Sequence, residues 1–279
     1  MMALERPKLV APAGTTDTHM HIYGADGAWP ISPMAVGRKP DGDVDAYARI
    51  QARLGMARNV VVQPTHYGAD NRCTLDAIRR LPDARGVAVV EPEIADAELA
   101  RLSEAGIRGV RFQMVPGGMT AWQDTDRLAA RAHEHGWHAQ LQLDGRELPD
   151  RLAQIRRWPG DVVIDHVGRF FEPVPPEHPA FGVLLELVAG GRCWCKLSAP
   201  YIHSASGPPY FDDVGRLAKA LIAAAPERML WASNWPHPSH LNDPPDDAML
   251  LDVLLDWAPD EAQRRLILVD NPARLYGFD

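Results

Sequence analysis

The chain has 279 residues, 46% of them apolar and 24% charged, the balance of an ordinary globular protein, and its length suits one large barrel better than two average domains. A net charge of −8 without any basic run excludes a nucleic-acid surface, and no apolar stretch is long enough to span a bilayer. The first ten residues are too short and polar for a secretory signal, and three cysteines (Cys73, Cys193, Cys195) imply no disulfide framework, so the cytoplasm is the expected compartment.

Extended apolar segments alternate with segments of helical periodicity. The first, at 15–21, ends in two histidines, and residues 24–43, rich in Gly, Pro and Asp, form a long loop able to cover a site. A helix over 44–54 follows an Asp43 cap. Strands are then expected at 59–63, 86–91, 109–113, 137–143, 162–165, 192–197 and 229–233. Helices are expected at 71–81, 95–105, 124–135, 148–158, 179–189, 212–225, 247–257 and 260–269. In 95–105, Leu99, Leu102 and Ala105 share one face. Eight strand–helix alternations predict a parallel (β/α)8 barrel, a TIM barrel, in a single domain over 1–279. The competing open doubly wound sheet lacks its Gly-rich fingerprint after the first strand. Cys193 and Cys195, two apart in an apolar run, read as small buried hydrophobes.

In such barrels chemistry sits where strands end and the loops to the helices begin. Eight of the eleven histidines map to that rim: His19, His21, His66, His166, His178, His203, His237 and His240. His133, His135 and His138 fall at the opposite rim, where a helix C-terminus is reason enough for an imidazole. The strongest local signal is T-D-T-H-M-H at residues 16–21, which puts Asp17, His19 and His21 on one strand face. With His166 in D-H-V-G they make three converging imidazoles, able to ligate zinc or to bind a carbonyl oxygen.

The opening D-x-H-x-H, V-I-D-H-x-G after strand six, W-x-x-N-W-P-H-P after strand eight and the terminal V-D-N-P-A-R-L-Y resemble the amidohydrolase superfamily, in the branch of 2-pyrone-4,6-dicarboxylate lactonase and galactarolactone isomerase. A-R-N-V-V-V-Q, G-A-D-N-R and A-G-I-R-G-V-R-F agree, so the resemblance runs over almost the whole chain. It implies an amidohydrolase-type barrel that works on a small carboxylated lactone without a cofactor or bound metal. It implies catalytic roles for His19, His21, His166 and Asn234, with Arg111 holding a substrate carboxylate through its two-pronged fork. Tyr23, His66, Gln142, Tyr201 and His237 complete the expected substrate contacts. If a metal were bound, His19, His21 and His166 would hold it.

Three departures bear on the reaction. Asn234 stands where the lactonase pattern has an aspartate, and a carboxamide cannot take a proton from water. V-P-G-G at residues 115–118 and A-P-Y-I-H at residues 199–203 lack basic residues of the lactonase, so two carboxylate anchors are expected to be missing. The asparagine, the P-G-G turn and Q-x-D-G resemble the isomerase, although His19 replaces its glutamine. Three readings follow: a lactonase-type hydrolase or lactone isomerase, a zinc-dependent hydrolase or decarboxylase, and a sugar-acid binding protein without catalysis.

Overall fold

The structure, a computed structural model, describes residues 5–279; residues 1–4, the start of the segment read for a secretory signal, lie outside the described part. Eight parallel strands run in chain order: β1 Thr16–Met20, β2 Arg58–Val62, β3 Ala84–Ala88, β4 Ile107–Gln113, β5 His138–Gln142, β6 Val162–Ile164, β7 Cys193–Ser198 and β8 Met229–Ala232. Just beyond the strands proper, β8 returns to β1: Asn234 N donates to His19 O, and His21 N to Trp235 O, both at 2.8 Å. The sheet is thus a near-closed TIM barrel of the expected class.

Each strand hands the chain to an outer helix: α1 Val44–Leu54, α2 Arg72–Arg80, α3 Asp96–Glu104, α4 Trp122–Glu134, α5 Leu148–Arg157, α6 Pro179–Ala189, α7 Asp212–Ala224 and α8 Asp247–Asp252. The short α9 Leu254–Trp257, α10 Glu261–Arg265 and α11 Asn271–Tyr276 complete the chain. Helix α1 illustrates the local logic. Asp43 accepts a hydrogen bond from Ala46 N at 2.7 Å, Gly55 ends the helix with a left-handed φ of 75°, and Val44, Tyr47, Gln51 and Leu54 bury one face. Among the described residues no helix is long and apolar enough to cross a membrane.

Three elements depart from expectation for identifiable reasons. Strand β3 stops at Ala88 although the apolar run continues, because the Asn71 amide takes both backbone bonds of Val89 (Nδ2 to O at 2.8 Å, N to Oδ1 at 3.2 Å). The helix expected over 247–257 divides at Val253 into α8 and α9. The helix expected over 260–269 gives way after Arg265 to a π-type turn, Leu266–Asp270, leading into α11. Pro272 lacks the N–H that an α-type ladder needs there.

The barrel interior is layered. Val60, Val62, Val87, Val163, Trp194 and Leu230 pack around Tyr276 as an apolar floor, and polar side chains fill the space above it. His138 lies in this lower region with its ring 5.2 Å from that of Tyr276, edge to face, and a Cβ on Gly109 would crowd it. Burial, aided by the charge of Lys196, pushes the His138 pKa down to about 3.

An unfolded chain binds a proton at His138 below pH ~6.5, whereas the folded barrel refuses it until about pH 3. The resulting stability is complete above pH ~6.5 and is lost as pH falls toward 3. His138→Leu is therefore expected to reduce the loss of stability between pH 7 and 5 by roughly 2 kcal/mol. Urea unfolding at the two pH values measures this, and an unchanged difference would refute the assignment.

Candidate active site

The strand ends converge on a cavity of about 180 Å3 at the C-terminal rim. His21, Arg111, Gln142, His166, Arg169 and Asn234 supply its main polar groups. Tyr23, His66 and Gln113 also reach it, and Val36 covers it from the long loop over residues 24–43. That loop is pinned at its stem by a bridge between Tyr23 and Gly42. After β4 the P-G-G turn is obligatory: a Cβ on Gly118 would collide with the carbonyl oxygen of Gln113.

Below the cavity lies a buried polar cluster built on Asp165. Its carboxylate accepts from Arg111 Nη2 at 3.2 Å and from Gln140 Nε2 at 2.9 Å, with His19 Nδ1 at 3.3 Å and Lys196 Nζ at 4.0 Å. Lys196 Nζ also donates to Thr18 O and to Gln140 Oε1, both at 2.8 Å. Burial alone would raise the Asp165 pKa, but the charges and hydrogen bonds around it prevail and hold it well below the usual carboxylate range. The ion pair with Arg111 is the cause that persists when His19 is neutral. Burial drives the Lys196 pKa down to about 7, against the pull of Asp165.

The tautomer of His21 is set by a backbone carbonyl. His21 Nδ1 lies 2.7 Å from the carbonyl of Val62 and must donate to it, leaving a lone pair on Nε2. His19 lies between two partners, its Nε2 3.2 Å from that lone pair and its Nδ1 3.3 Å from Asp165 Oδ1. Burial keeps both rings neutral, with the His21 pKa lowered to about 3 and that of His19 well below its usual value. His166 is likewise depressed by burial, and its Nδ1 lies 2.8 Å from Ser198 Oγ.

Asp17 does not share the face of the histidines. The register of β1 against β2 shifts between Asp17 and Met20, and this β-bulge turns Asp17 away from the cluster. It accepts instead from Tyr47 of α1 at 3.0 Å and from Ser233 Oγ at 2.6 Å. Tyr201 and His237 stand behind Asn234 rather than on the cavity wall: Asn234 Nδ2 donates to Tyr201 Oη at 2.9 Å, which lies 2.9 Å from His237 Nδ1. His178 caps α6, its Nδ1 accepting from Ala180 N.

Arg111 is engaged, not free. It is 3% exposed and donates to Asp165, to Gln142 Oε1 at 3.2 Å and to Gln63 O at 3.1 Å. Arg169 is different: its Nε and Nη1 have no protein partner among the described residues. Its guanidinium stacks 4.5 Å from the ring centre of Phe171. Burial and Arg111 lower its pKa to about 10, so it remains a cation at neutral pH. Arg169, lying just past D-H-V-G, is thus a cation on the cavity wall that sequence reasoning did not single out. Sequence reasoning also passed over Lys196, although a single lysine inside the apolar run of β7 is itself a signal.

Ligand atoms of His19, Asp165 and His166 lie within 4.8 Å of one another, the only such group among the described residues. They do not suit a divalent cation as arranged. Both Asp165 oxygens are taken, and Arg111 Nη2 sits 3.4 Å from His19 Nε2, opposing a second positive charge. The strand-eight position offers only the neutral amide of Asn234, a poor zinc ligand.

A family model described as amidohydrolase matches residues 16–278. Among curated proteins the chain is similar to a 2-pyrone-4,6-dicarboxylate hydrolase of Comamonas testosteroni, 35% identical over 97% of this chain and 92% of the relative. It is also similar to a 4-sulfomuconolactone hydrolase of Hydrogenophaga intermedia (35%, covering 97% and 91%) and a D-galactarolactone isomerase of Agrobacterium fabrum strain C58 (33%, covering 97% and 93%). An apo crystal structure from Agrobacterium tumefaciens superposes with a TM-score of 0.91 at 32% identity, covering 98% of this chain and 99% of that one. A second, named as a probable 2-pyrone-4,6-dicarboxylic acid hydrolase from Acinetobacter baumannii with citric acid bound, gives 0.82 at 26%, covering 95% and 100%.

Removing one charge from the Asp165 cluster leaves the others uncompensated. Asp165→Asn is expected to cost about 3–5 kcal/mol in urea unfolding at pH 7.5. Lys196→Met should cost much less, because a lysine with a pKa near 7 gives up its charge readily. Equal losses in the two variants would contradict the hierarchy.

Proposed function

The chain belongs to the amidohydrolase family, and we propose that it transfers the acyl group of a small carboxylated lactone to a hydroxyl of the same molecule, making it a lactone isomerase. The observation that carries this reading is the cavity wall, which among the described residues contains arginine, histidine and amide side chains but no aspartate or glutamate. A wall of that kind favours an anionic substrate and has no carboxylate to activate water. An internal hydroxyl, already tethered beside the carbonyl, needs less activation than water because its approach is intramolecular. The names of the relatives, one a lactone isomerase and one a dicarboxylate hydrolase, support the substrate class.

In the proposed reaction the substrate hydroxyl oxygen attacks the lactone carbonyl carbon while His166 takes its proton. His166 is suited to this. Burial keeps it neutral, and a hydrogen on Nδ1 directed at Ser198 Oγ leaves Nε2 with a lone pair for the cavity. The ring C–O bond then breaks, and His166 returns the proton to the departing oxygen, so atoms and charge balance. Arg111, with an unpartnered Nε, donates to the oxyanion. His21, whose N–H is committed to the Val62 carbonyl, and His19, held between Asp165 and Arg111, position the arginine rather than serving the oxyanion themselves. Arg169 binds the substrate carboxylate, for which its free fork is the matching partner. Tyr23, His66 and Gln142 read the remaining hydroxyls. No metal takes part.

A second reading, hydrolysis, has the same carbonyl, the same arginines and water in place of the internal hydroxyl. It is favoured by the hydrolase names among the relatives and by the availability of His166 as a base.

Proton NMR of the EDTA-dialysed protein with 2-pyrone-4,6-dicarboxylate and with the δ- and γ-lactones of sugar diacids separates these readings. Interconversion of the two ring sizes is expected; open-chain acid as the sole product would replace isomerisation by hydrolysis. Asn234→Asp should increase the yield of open-chain acid, and a decrease would sink the account of Asn234. Activity that disappears on dialysis and returns with zinc would overturn metal independence.

Arg169→Met should raise KM at least about tenfold, the loss of one charge-assisted hydrogen-bonded pair, with a smaller change in kcat. A fall confined to kcat would instead put Arg169 at the reacting carbonyl.

A further inference from the structure

Behind Asn234 a line of side chains leads from the cavity to the helix layer. Asn234 Nδ2 is 2.9 Å from Tyr201 Oη, Tyr201 Oη is 2.9 Å from His237 Nδ1, and His237 Nε2 is 3.1 Å from Asp247 Oδ1. His237 and Asp247 are buried, and Asp247 opens α8 immediately after its cap, Asp246. The backbone is held as firmly as the side chains. Asn234 and His237 both have left-handed φ angles, 59° and 62°, and His237 N donates to Asn234 O at 2.9 Å.

Such a line has two possible polarities, and they give Asn234 opposite chemistry. With the His237 hydrogen on Nδ1, the ring donates to Tyr201, Tyr201 donates to the Asn234 oxygen, and the amide hydrogens face the cavity. With the hydrogen on Nε2, Tyr201 donates to Nδ1, its oxygen accepts from Asn234 Nδ2, and the amide oxygen faces the cavity. The first makes Asn234 a donor for an oxyanion; the second makes it an acceptor for a hydroxyl. The far end of the line decides between them. A carboxylate has only lone pairs to offer, so although Asp247 Oδ1 lies off the line of a well-formed hydrogen bond, its position 3.1 Å from Nε2 disfavours a second lone pair there and selects the hydrogen on Nε2.

We infer that Asp247, acting through His237 and Tyr201, fixes the amide of Asn234 with its oxygen toward the cavity, where it accepts from and aligns the attacking hydroxyl of the substrate. The amide oxygen has no protein partner among the described residues, as a ligand-directed acceptor requires. Tyr201, His237 and Asp247 are then positioning residues that touch no substrate. The inference rests on the acyl-transfer reading for the identity of the hydroxyl, but the polarity of the line is a property of the protein alone.

Long-range 1H–15N NMR of the imidazoles tests it without turnover, the His237 signals being identified by their loss in His237→Gln. The expected result is a single tautomer protonated at Nε2, with the other form appearing in Asp247→Asn; an Nδ1-protonated His237 in the unaltered protein would overturn the inference. Kinetics on whichever lactone of the panel turns over provide a second arm, with Tm measured for each variant. Tyr201→Phe should lower kcat about tenfold, the worth of one hydrogen bond, with KM changed less than about threefold, and should have little further effect in Asn234→Ala. Fully additive losses would mean that Tyr201 meets the substrate itself, against the inference. If no lactone is turned over, the functional reading fails while the tautomer still decides the polarity.

Discussion

The arrangement of the site depends on one buried carboxylate. Asp165, at the end of β6, gathers an arginine from β4, a glutamine from β5, a lysine from β7 and a histidine from β1, so five of the eight strands meet on it. Charges this deep tolerate little displacement, because an unpaired member would be a costly buried ion. Arg111 is therefore fixed to within hydrogen-bond tolerance before any substrate arrives, with His19 held beside it. Preorganisation of this kind lets a guanidinium act on a developing oxyanion without first having to reorient.

The fold was largely legible in the sequence because strand–helix alternation is a periodic signal repeated eight times. Its failures were local. Strand β3 ends early because a side chain, Asn71, captures its backbone groups, which no periodicity reveals. The last helices break up around Val253 and Pro272, where helical spacing in the apolar residues continues but the backbone does not. The bulge in β1 is the most instructive case. Strict alternation puts Asp17 with the histidines, and one extra residue in the strand sends it to the helix layer, joined to Tyr47.

The site was legible to a different depth. His21, His166, Asn234, Arg111, Tyr23, His66 and Gln142 were all singled out from strand-end position and resemblance, and all line the cavity. Pairing was not legible. Whether an arginine is occupied or free depends on neighbours that are distant in sequence, so Arg111 read as a free anchor and Arg169 was passed over. Likewise Tyr201 and His237 were recognised as polar groups near strand ends, but only coordinates distinguish the wall of a cavity from the layer behind it.

The contrast between a cationic cavity and an anionic chain extends beyond the binding step. The protein as a whole carries −8, so an anionic molecule approaching from afar meets repulsion over most of the surface. Near the rim, Arg169, a cation with no carboxylate paired to it among the described residues, opposes that field locally. Salt weakens the distant repulsion more than the local attraction, since the two act over distances on opposite sides of a Debye length of about 8 Å. The rate of capture of an anionic lactone should thus hold steady or rise with moderate ionic strength, opposite to the behaviour of a protein that gathers anions by its net charge.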